Sequence, residues 1–159
     1  MPIQLNQLRD ILQRLGYSAS AMESSEPGLS IAMRMHGESR KVEVLPDQSG
    51  EHLHLRSLVS YCEESRPSLP DVLRALAAFN LSNRTVRLGW EAGEKAILAC
   101  ADLWLFDEAS PVRSIEHFLL RYQSELEACG PVLRGAVLGQ NPATPNVPAE
   151  IDDVDDDLI

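Results

Sequence analysis

The chain has 159 residues, about the length of one domain, and its hydrophobic fraction of 44% is enough for an ordinary packed core. Its formal net charge is −10, which argues against nucleic acid or an anionic membrane as the main partner, because both bind basic surfaces. The charge is uneven, since residues 138–159 contain six acidic residues and no basic ones. The sequence therefore predicts a folded domain at residues 1–137 and a disordered, Pro-containing acidic tail at residues 138–159.

The start of the chain and its cysteines both favour a reducing cytoplasm. The first residues, MPIQLNQLRD, lack the basic segment and apolar run of a signal peptide, and no apolar stretch approaches the roughly 18–20 residues of a membrane span. The three cysteines, Cys62, Cys100 and Cys129, are widely spaced and odd in number. This spacing favours buried free thiols over a disulfide framework or a zinc site. We therefore expect a cytoplasmic protein with no membrane partner.

Apolar periodicity in the first part of the chain predicts a helix followed by three strands. Residues 5–15 place their leucines and isoleucine on one helical face, and Gly16 is a natural stop. The segments 29–36, 40–45 and 51–59 alternate apolar and polar residues, which is the period of a half-buried strand. Short turn sequences, HGES and PDQSG, separate these segments, so we expect an antiparallel meander.

Two further helices are predicted from their capping residues and apolar stripes. Ser68 is a candidate N-cap for the first, and Asn80 or Asn83 suits its end. The second follows Ser110, and the pair Gly130–Pro131 is expected to end it. The predicted buried faces are Leu69, Val72, Leu73, Leu76 and Phe79 in the first helix and Ile115, Phe118, Leu119, Tyr122 and Leu126 in the second.

A hairpin between these helices carries the predicted partner-binding residues. Its strands are RTVRLGW and KAILACADLWLF, joined by the turn EAGE. The second strand is apolar on both faces, so both faces should be covered. One face should meet the helices, and a partner subunit or a client protein could cover the other. We therefore predict that Trp90, Leu98 and Trp104 contact a partner, with simple core packing of the tryptophans as the alternative.

The complete order, α-βββ-α-ββ-α, defines an α+β domain with an antiparallel sheet of about five strands packed against helices. From residue 5 to about residue 133, this order resembles the class I type III secretion chaperones and their YbjN-like relatives. The segment LRALAAFNLSNRTVRLGWEAGEKAILACADLWL and a last helix ending in LEACGPVL carry the resemblance. It implies a small acidic homodimer that binds an extended segment of another protein, and its YbjN-like branch implies a regulatory role.

The acidic tail has two interpretations. Apolar residues are interleaved with aspartates there, as in disordered segments that recognise other proteins. A tail of this composition can also serve only to keep the protein soluble. The alternative function is therefore a YbjN-like regulatory domain that acts through its tail. The residues that would bind the partner are Ile151, Val154, Leu158 and Ile159.

Catalytic and metal-binding patterns are weak in this sequence. His52 and His54 are spaced to chelate a metal ion from one strand face, but no carboxylate or thiol is suitably spaced along the sequence to complete the ligand set. Cys62 near either histidine lacks an activating context, and neither a GxSxG sequence nor a glycine-rich phosphate loop is present. We therefore predict a non-enzymatic protein that uses no cofactor and no metal ion.

Overall fold

Helices and strands alternate along the part of the chain that the computed structural model describes, which is residues 2–23, 26–105 and 110–137. The predicted tail lies outside the described residues. The elements in chain order are α1 (Leu5–Arg14), β1 (Ala19–Ala21), β2 (Leu29–Met35), β3 (Glu38–Pro46), β4 (His52–Tyr61), α2 (Leu69–Ser82), β5 (Arg87–Glu91), β6 (Ala96–Trp104) and α3 (Pro111–Val137).

The strands form one antiparallel sheet in the order β1-β2-β3-β4-β6-β5. The predicted α+β class, the meander and the hairpin are confirmed. The sheet has one strand more than predicted, since the three residues Ala19–Ala21 pair with the start of β2. A strand this short contains too few residues to show a period-2 pattern.

The inner face of the sheet packs against the helices. It carries the apolar residues of the alternating strands, and the predicted stripe of α3 is buried against it. Leu73 was predicted to be buried on α2, but it is 42% exposed. Its neighbours Val72, Leu76 and Phe79 are spaced four and three residues apart and form the buried stripe, and Leu73 lies beside it. Ser68 precedes α2 as predicted, although its side chain makes no capping hydrogen bond.

Helix α3 continues to Val137, so the prediction that Gly130 and Pro131 end it was wrong. A proline has no N–H, and Pro131 therefore leaves the carbonyl of Glu127, four residues earlier, without its helical donor. In the fold, Nε2 of His36 lies 2.9 Å from that carbonyl oxygen and donates to it from the turn between β2 and β3. The buried side chains of Cys129 and Leu133 hold the helix against the core on both sides of the proline.

We expect the substitution His36→Asn to destabilise the domain by about 1 kcal/mol, because the Glu127 carbonyl would lose the donor that replaces the helical N–H. Asn tolerates the positive φ of 50° at this position but is too short to reach α3. In a Pro131→Ala background the same substitution should cost much less, because the alanine backbone supplies the missing N–H. Urea unfolding of the four variants measures this coupling. An equal cost of His36→Asn in both backgrounds would contradict it.

Candidate functional site

The outer face of the sheet, which the described helices leave uncovered, carries several large apolar side chains. Tyr61 is 70% exposed, Trp104 54% and Leu58 42%. Leu98 is half-buried and pairs directly with Leu58 across β4 and β6. The predicted two-faced character of β6 is therefore present, with its inner residues buried and its outer ones partly open to solvent.

The two tryptophans lie on opposite faces of the sheet. Trp90 is opposite Ile97 in the register of β5 and β6, on the inner face, and its indole Nε1 donates to the carbonyl oxygen of Cys62 at 2.9 Å. Trp104 lies on the outer face with Leu98. Of the residues predicted to bind a partner, the fold thus brings Leu98 and Trp104 together on one surface and places Trp90 elsewhere. The remaining ones lie outside the described residues: Ile151, Val154, Leu158 and Ile159.

A polar cluster occupies β4 and β6 between Leu98 and Trp104. The carboxylate of Asp102 accepts hydrogen bonds from Nε2 of His52 at 2.9 Å and from Nδ1 of His54 at 2.8 Å. The antiparallel register creates this contact by placing His54 opposite Asp102. His52 lies opposite Trp104, and the two rings stack with their centroids 4.3 Å apart. The outer face is thus polar in the middle and apolar at both ends.

Cys100 belongs to the same cluster, so the prediction that it is buried was wrong. Its side chain is partly exposed and interacts with His54. This interaction, together with the hydrogen bond to Asp102, raises the pKa of His54 to about 9 although partial burial opposes the shift. Burial likewise opposes the shift of Asp102, but the hydrogen bond from His54 keeps the pKa of this carboxyl below its usual value. His54 and Asp102 therefore form an ion pair at neutral pH.

Spacing along the chain does not reveal this cluster, because its residues are neighbours across the sheet. The register supplies the carboxylate of Asp102 and the thiol of Cys100 next to the two histidines. One signal was present in the sequence, since Asp102 is a charged residue inside an otherwise apolar strand. Within the described ranges, no set of three or more His, Cys, Asp and Glu side chains is arranged to hold a metal ion.

His36 and Cys62 lie apart from the outer-face cluster. His36 is in the turn at the opposite end of β3 and bonds to α3. Cys62 follows the far end of β4, is buried, and donates its backbone N–H to the carbonyl of Lys95.

We expect the stability of the domain to fall as the pH rises from about 6.5 to about 9. The pKa of His54 is higher in the folded protein than its ordinary value, so protonation of this ring favours the fold. This contribution is complete below about pH 6.5 and is lost as the pH passes through about 9. Urea unfolding at several pH values measures the effect, with His54→Gln as the control. If the free energy of unfolding depends on pH with the same slope in wild type and His54→Gln, the effect does not come from His54.

Two shallow depressions flank the polar cluster. One, of about 460 Å³, is lined by Leu58, Tyr61 and Leu98 and by charged residues of both signs. The other, of about 520 Å³, lies at the opposite end of the strands. Its lining includes Ile3, Pro27, Leu45, His52 and His54. Both depressions offer apolar surface with charged or imidazole groups beside it.

Side chains from the helices occupy backbone groups on the edge strand β5 and on the part of β2 that extends beyond its partner β1. On β5, the amide of Asn80 accepts from the N–H of Leu88 and donates to its carbonyl, both at 2.8 Å. On β2, Nε2 of Gln123 donates to the carbonyl of Arg34 at 2.6 Å. A partner strand would need such groups for pairing, so these contacts protect the edges. The outer face is therefore better suited to a partner than either of these protected positions.

None of the helices in the described part of the chain combines the length and the hydropathy needed to cross a lipid bilayer.

Solved structures with the type III secretion chaperone-like architecture share this fold. A chain from the crystal structure of the ExsC–ExsE complex superimposes with a TM-score of 0.53 at 17% identity, covering 84% of this chain and 96% of that one. The crystal structure of YbjN from E. coli, described as a putative transcription regulator, gives a TM-score of 0.62 at 15% identity and covers 86% of this chain and 94% of that one.

The family follows from the sequence match. The model of the YbjN family, described as a putative bacterial sensory transduction regulator, matches residues 4–134, so the chain belongs to the YbjN family. The resemblance stated from the sequence is thereby confirmed. A search of the curated proteins gave no match.

Proposed function

We propose that this chain is a non-enzymatic protein-binding module of the cytoplasm, a small acidic chaperone or adaptor that holds an extended segment of a partner protein on the outer face of its sheet. The observation that carries the proposal is the exposed apolar surface at both ends of that face, with Trp104 at one end and Leu58, Tyr61 and Leu98 at the other.

The spacing of the two apolar ends favours an extended ligand. Leu98 and Trp104 are six residues apart on one strand, which corresponds to roughly 20 Å. A segment of about six extended residues would span both ends and cross the His54–Asp102 ion pair between them. Side-chain contacts with the face would provide affinity, since Asn80 and Gln123 already occupy edge groups that strand addition would use. The YbjN family and its chaperone-like fold are consistent with a binding role.

The test compares full-length variants in quantitative affinity capture from the native host. Trp104→Ala and Leu98→Ala should reduce recovery of the principal partner by about tenfold or more, as for hot-spot residues at an interface. Leu120→Ala is the matched control, because Leu120 is as exposed as Trp104 but lies on α3. Circular dichroism verifies that each variant is folded. Equal recovery with wild type and Trp104→Ala would contradict binding at the outer face.

A second candidate function is a regulatory domain that acts through its acidic tail. The family description as a putative sensory transduction regulator favours it, together with the interleaved apolar and acidic residues at 150–159. A chain truncated to residues 1–137 should then keep its fold but lose the partner. If the truncated chain keeps the partner and Trp104→Ala loses it, the outer face is the binding site and the tail is not.

The predicted homodimer is also a proposal, and the mass of the protein in solution tests it. Light scattering coupled to size exclusion gives the mass of the full-length chain in solution. A dimer that dissociates in Trp104→Ala and not in Leu120→Ala would place the subunit contact on the outer face, and a monomeric wild type would contradict the homodimer.

A further inference from the structure

Cys100 differs from the other cysteines in exposure and in its neighbours. Cys62 and Cys129 are each 2% exposed, and their side chains belong to the hydrophobic core. Cys100 points out of the sheet on the outer face, where it is partly exposed. It is therefore the one of the three cysteines that a dissolved reagent can reach in the folded protein.

The side chains around Cys100 form a nucleophile, a proton donor and an orienting group. His54 interacts with Cys100, which lies diagonally across from it on the outer face, and its Nδ1 donates to Asp102 at 2.8 Å. The carboxylate fixes the ring, and the ring is protonated at neutral pH because Cys100 and Asp102 raise its pKa to about 9. Such a chain of thiol, imidazole and carboxylate is the arrangement that activates a cysteine. It is held on two paired strands, β4 and β6.

The cross-strand neighbours of Cys100 add positive charge on both sides. Arg56 lies directly opposite it on β4 and Arg87 directly opposite it on β5. The guanidinium of Arg56 is paired with Glu43 at 2.8 Å, and Arg87 bonds to the carbonyl of Asn80 at 3.2 Å. Two guanidinium-bearing side chains therefore flank Cys100, one on each neighbouring strand.

We propose that Cys100 is a site of reversible oxidation by hydroperoxides, with the His54–Asp102 pair as its activating group. The thiolate sulfur attacks one oxygen of the peroxide, so that a sulfur–oxygen bond forms and the oxygen–oxygen bond breaks. The hydroxide or alkoxide that leaves takes a proton from the imidazolium of His54 and departs as water or alcohol. The sulfur is oxidised by two electrons to a sulfenic acid, and the peroxide is reduced by the same two.

The surroundings of Cys100 favour chemical modification of its thiol over catalysis on a bound substrate. The two depressions on the outer face are lined by residues of the neighbouring strands and loops, and Cys100 is not among their lining residues. A small peroxide needs no pocket to reach the sulfur, whereas an enzyme substrate needs a site that positions it.

The test measures the oxidation rate of the full-length, reduced protein with hydrogen peroxide. Dimedone traps the sulfenic acid, and peptide mass spectrometry assigns it to a cysteine. We expect the label at Cys100 and not at Cys62 or Cys129. We also expect Cys100 to react at least about tenfold faster in the native protein than in urea, where all three cysteines behave as ordinary thiols.

Two variants distinguish activation from simple exposure. His54→Gln should lower the native rate at Cys100 by about tenfold or more, since it removes the proton donor. His117→Gln is the matched control, because His117 is an exposed histidine on α3 and lies outside the outer-face cluster. It should leave the rate within about twofold, as it does not remove the proton donor. Equal rates in wild type and His54→Gln, or a native rate no faster than that in urea, would overturn the proposal.

Discussion

Replacing Tyr122 by alanine is expected to destabilise the domain by about 3–5 kcal/mol, the range for removal of a buried aromatic ring. Tyr122 is fully buried on α3 and is the largest of the fully buried side chains. Its hydroxyl lies 2.7 Å from Oγ of Ser57 on β4 and donates to the carbonyl of Ala99 on β6 at 3.3 Å. The residue thus joins the last helix to the two adjacent strands that carry the outer-face cluster.

The hydroxyl and the ring of Tyr122 contribute separately to the free energy of unfolding, and Tyr122→Phe measures the contribution of the hydroxyl. We expect this variant to lose about 1–3 kcal/mol, because the buried Oγ of Ser57 would be left without its partner. In the double variant with Ser57→Ala, both polar groups are absent and most of that cost should be recovered. Urea unfolding at neutral pH gives all the values, and additive costs in the double variant would contradict the coupling.

The burial of Tyr122 and of the inner strand residues follows from local patterns. The stripe of α3 repeats every three to four residues, and Leu53 and Leu55 alternate with polar neighbours. Such patterns fix which side of an element is apolar, and one packed core then determines where that side faces. This is why the fold class, the meander and the hairpin were predictable, whereas the short strand β1 was not.

The outer-face cluster could not be predicted in the same way, because it depends on contacts between distant parts of the chain. His54 and Asp102 are 48 residues apart and meet only through the register of β4 with β6. The same holds for Pro131, whose effect on α3 is compensated by His36, a residue 91 positions from the carbonyl that it binds. A local rule for proline predicts the lost hydrogen bond and says nothing of a donor from another element.

The face of the sheet on which each tryptophan lies also follows only from the register of the strands. Trp90 and Trp104 both look suitable for an interface in the sequence. The pairing of Trp90 with Ile97 and of His52 with Trp104 assigns them to opposite sides of the sheet. The candidate binding surface is therefore narrower than the sequence predicted, and it includes polar residues that no motif would have selected.

Glu125→Ala is expected to destabilise the domain by about 2–4 kcal/mol and to loosen the start of β5. One oxygen of the half-buried Glu125 carboxylate accepts from the backbone N–H groups of Thr85 at 3.0 Å and Val86 at 2.7 Å. Removing a charged acceptor leaves both donors without a partner near the core, and hydrogen bonds to charged groups are the stronger kind. Glu116→Ala on the exposed side of the same helix is the control and should change stability by less than about 0.5 kcal/mol.

The region that loses stability in Glu125→Ala distinguishes a local effect on β5 from a general loss of packing. Hydrogen exchange at Val86 and Leu88 should accelerate more in Glu125→Ala than exchange in β4, because the carboxylate and Asn80 together fix the outer edge of β5. Loosening this edge frees backbone donors for pairing with another chain, so the variant should also self-associate more as its concentration rises. If hydrogen exchange accelerates equally in all strands and the variant does not self-associate more, Glu125 supports the core as a whole and not the protected edge.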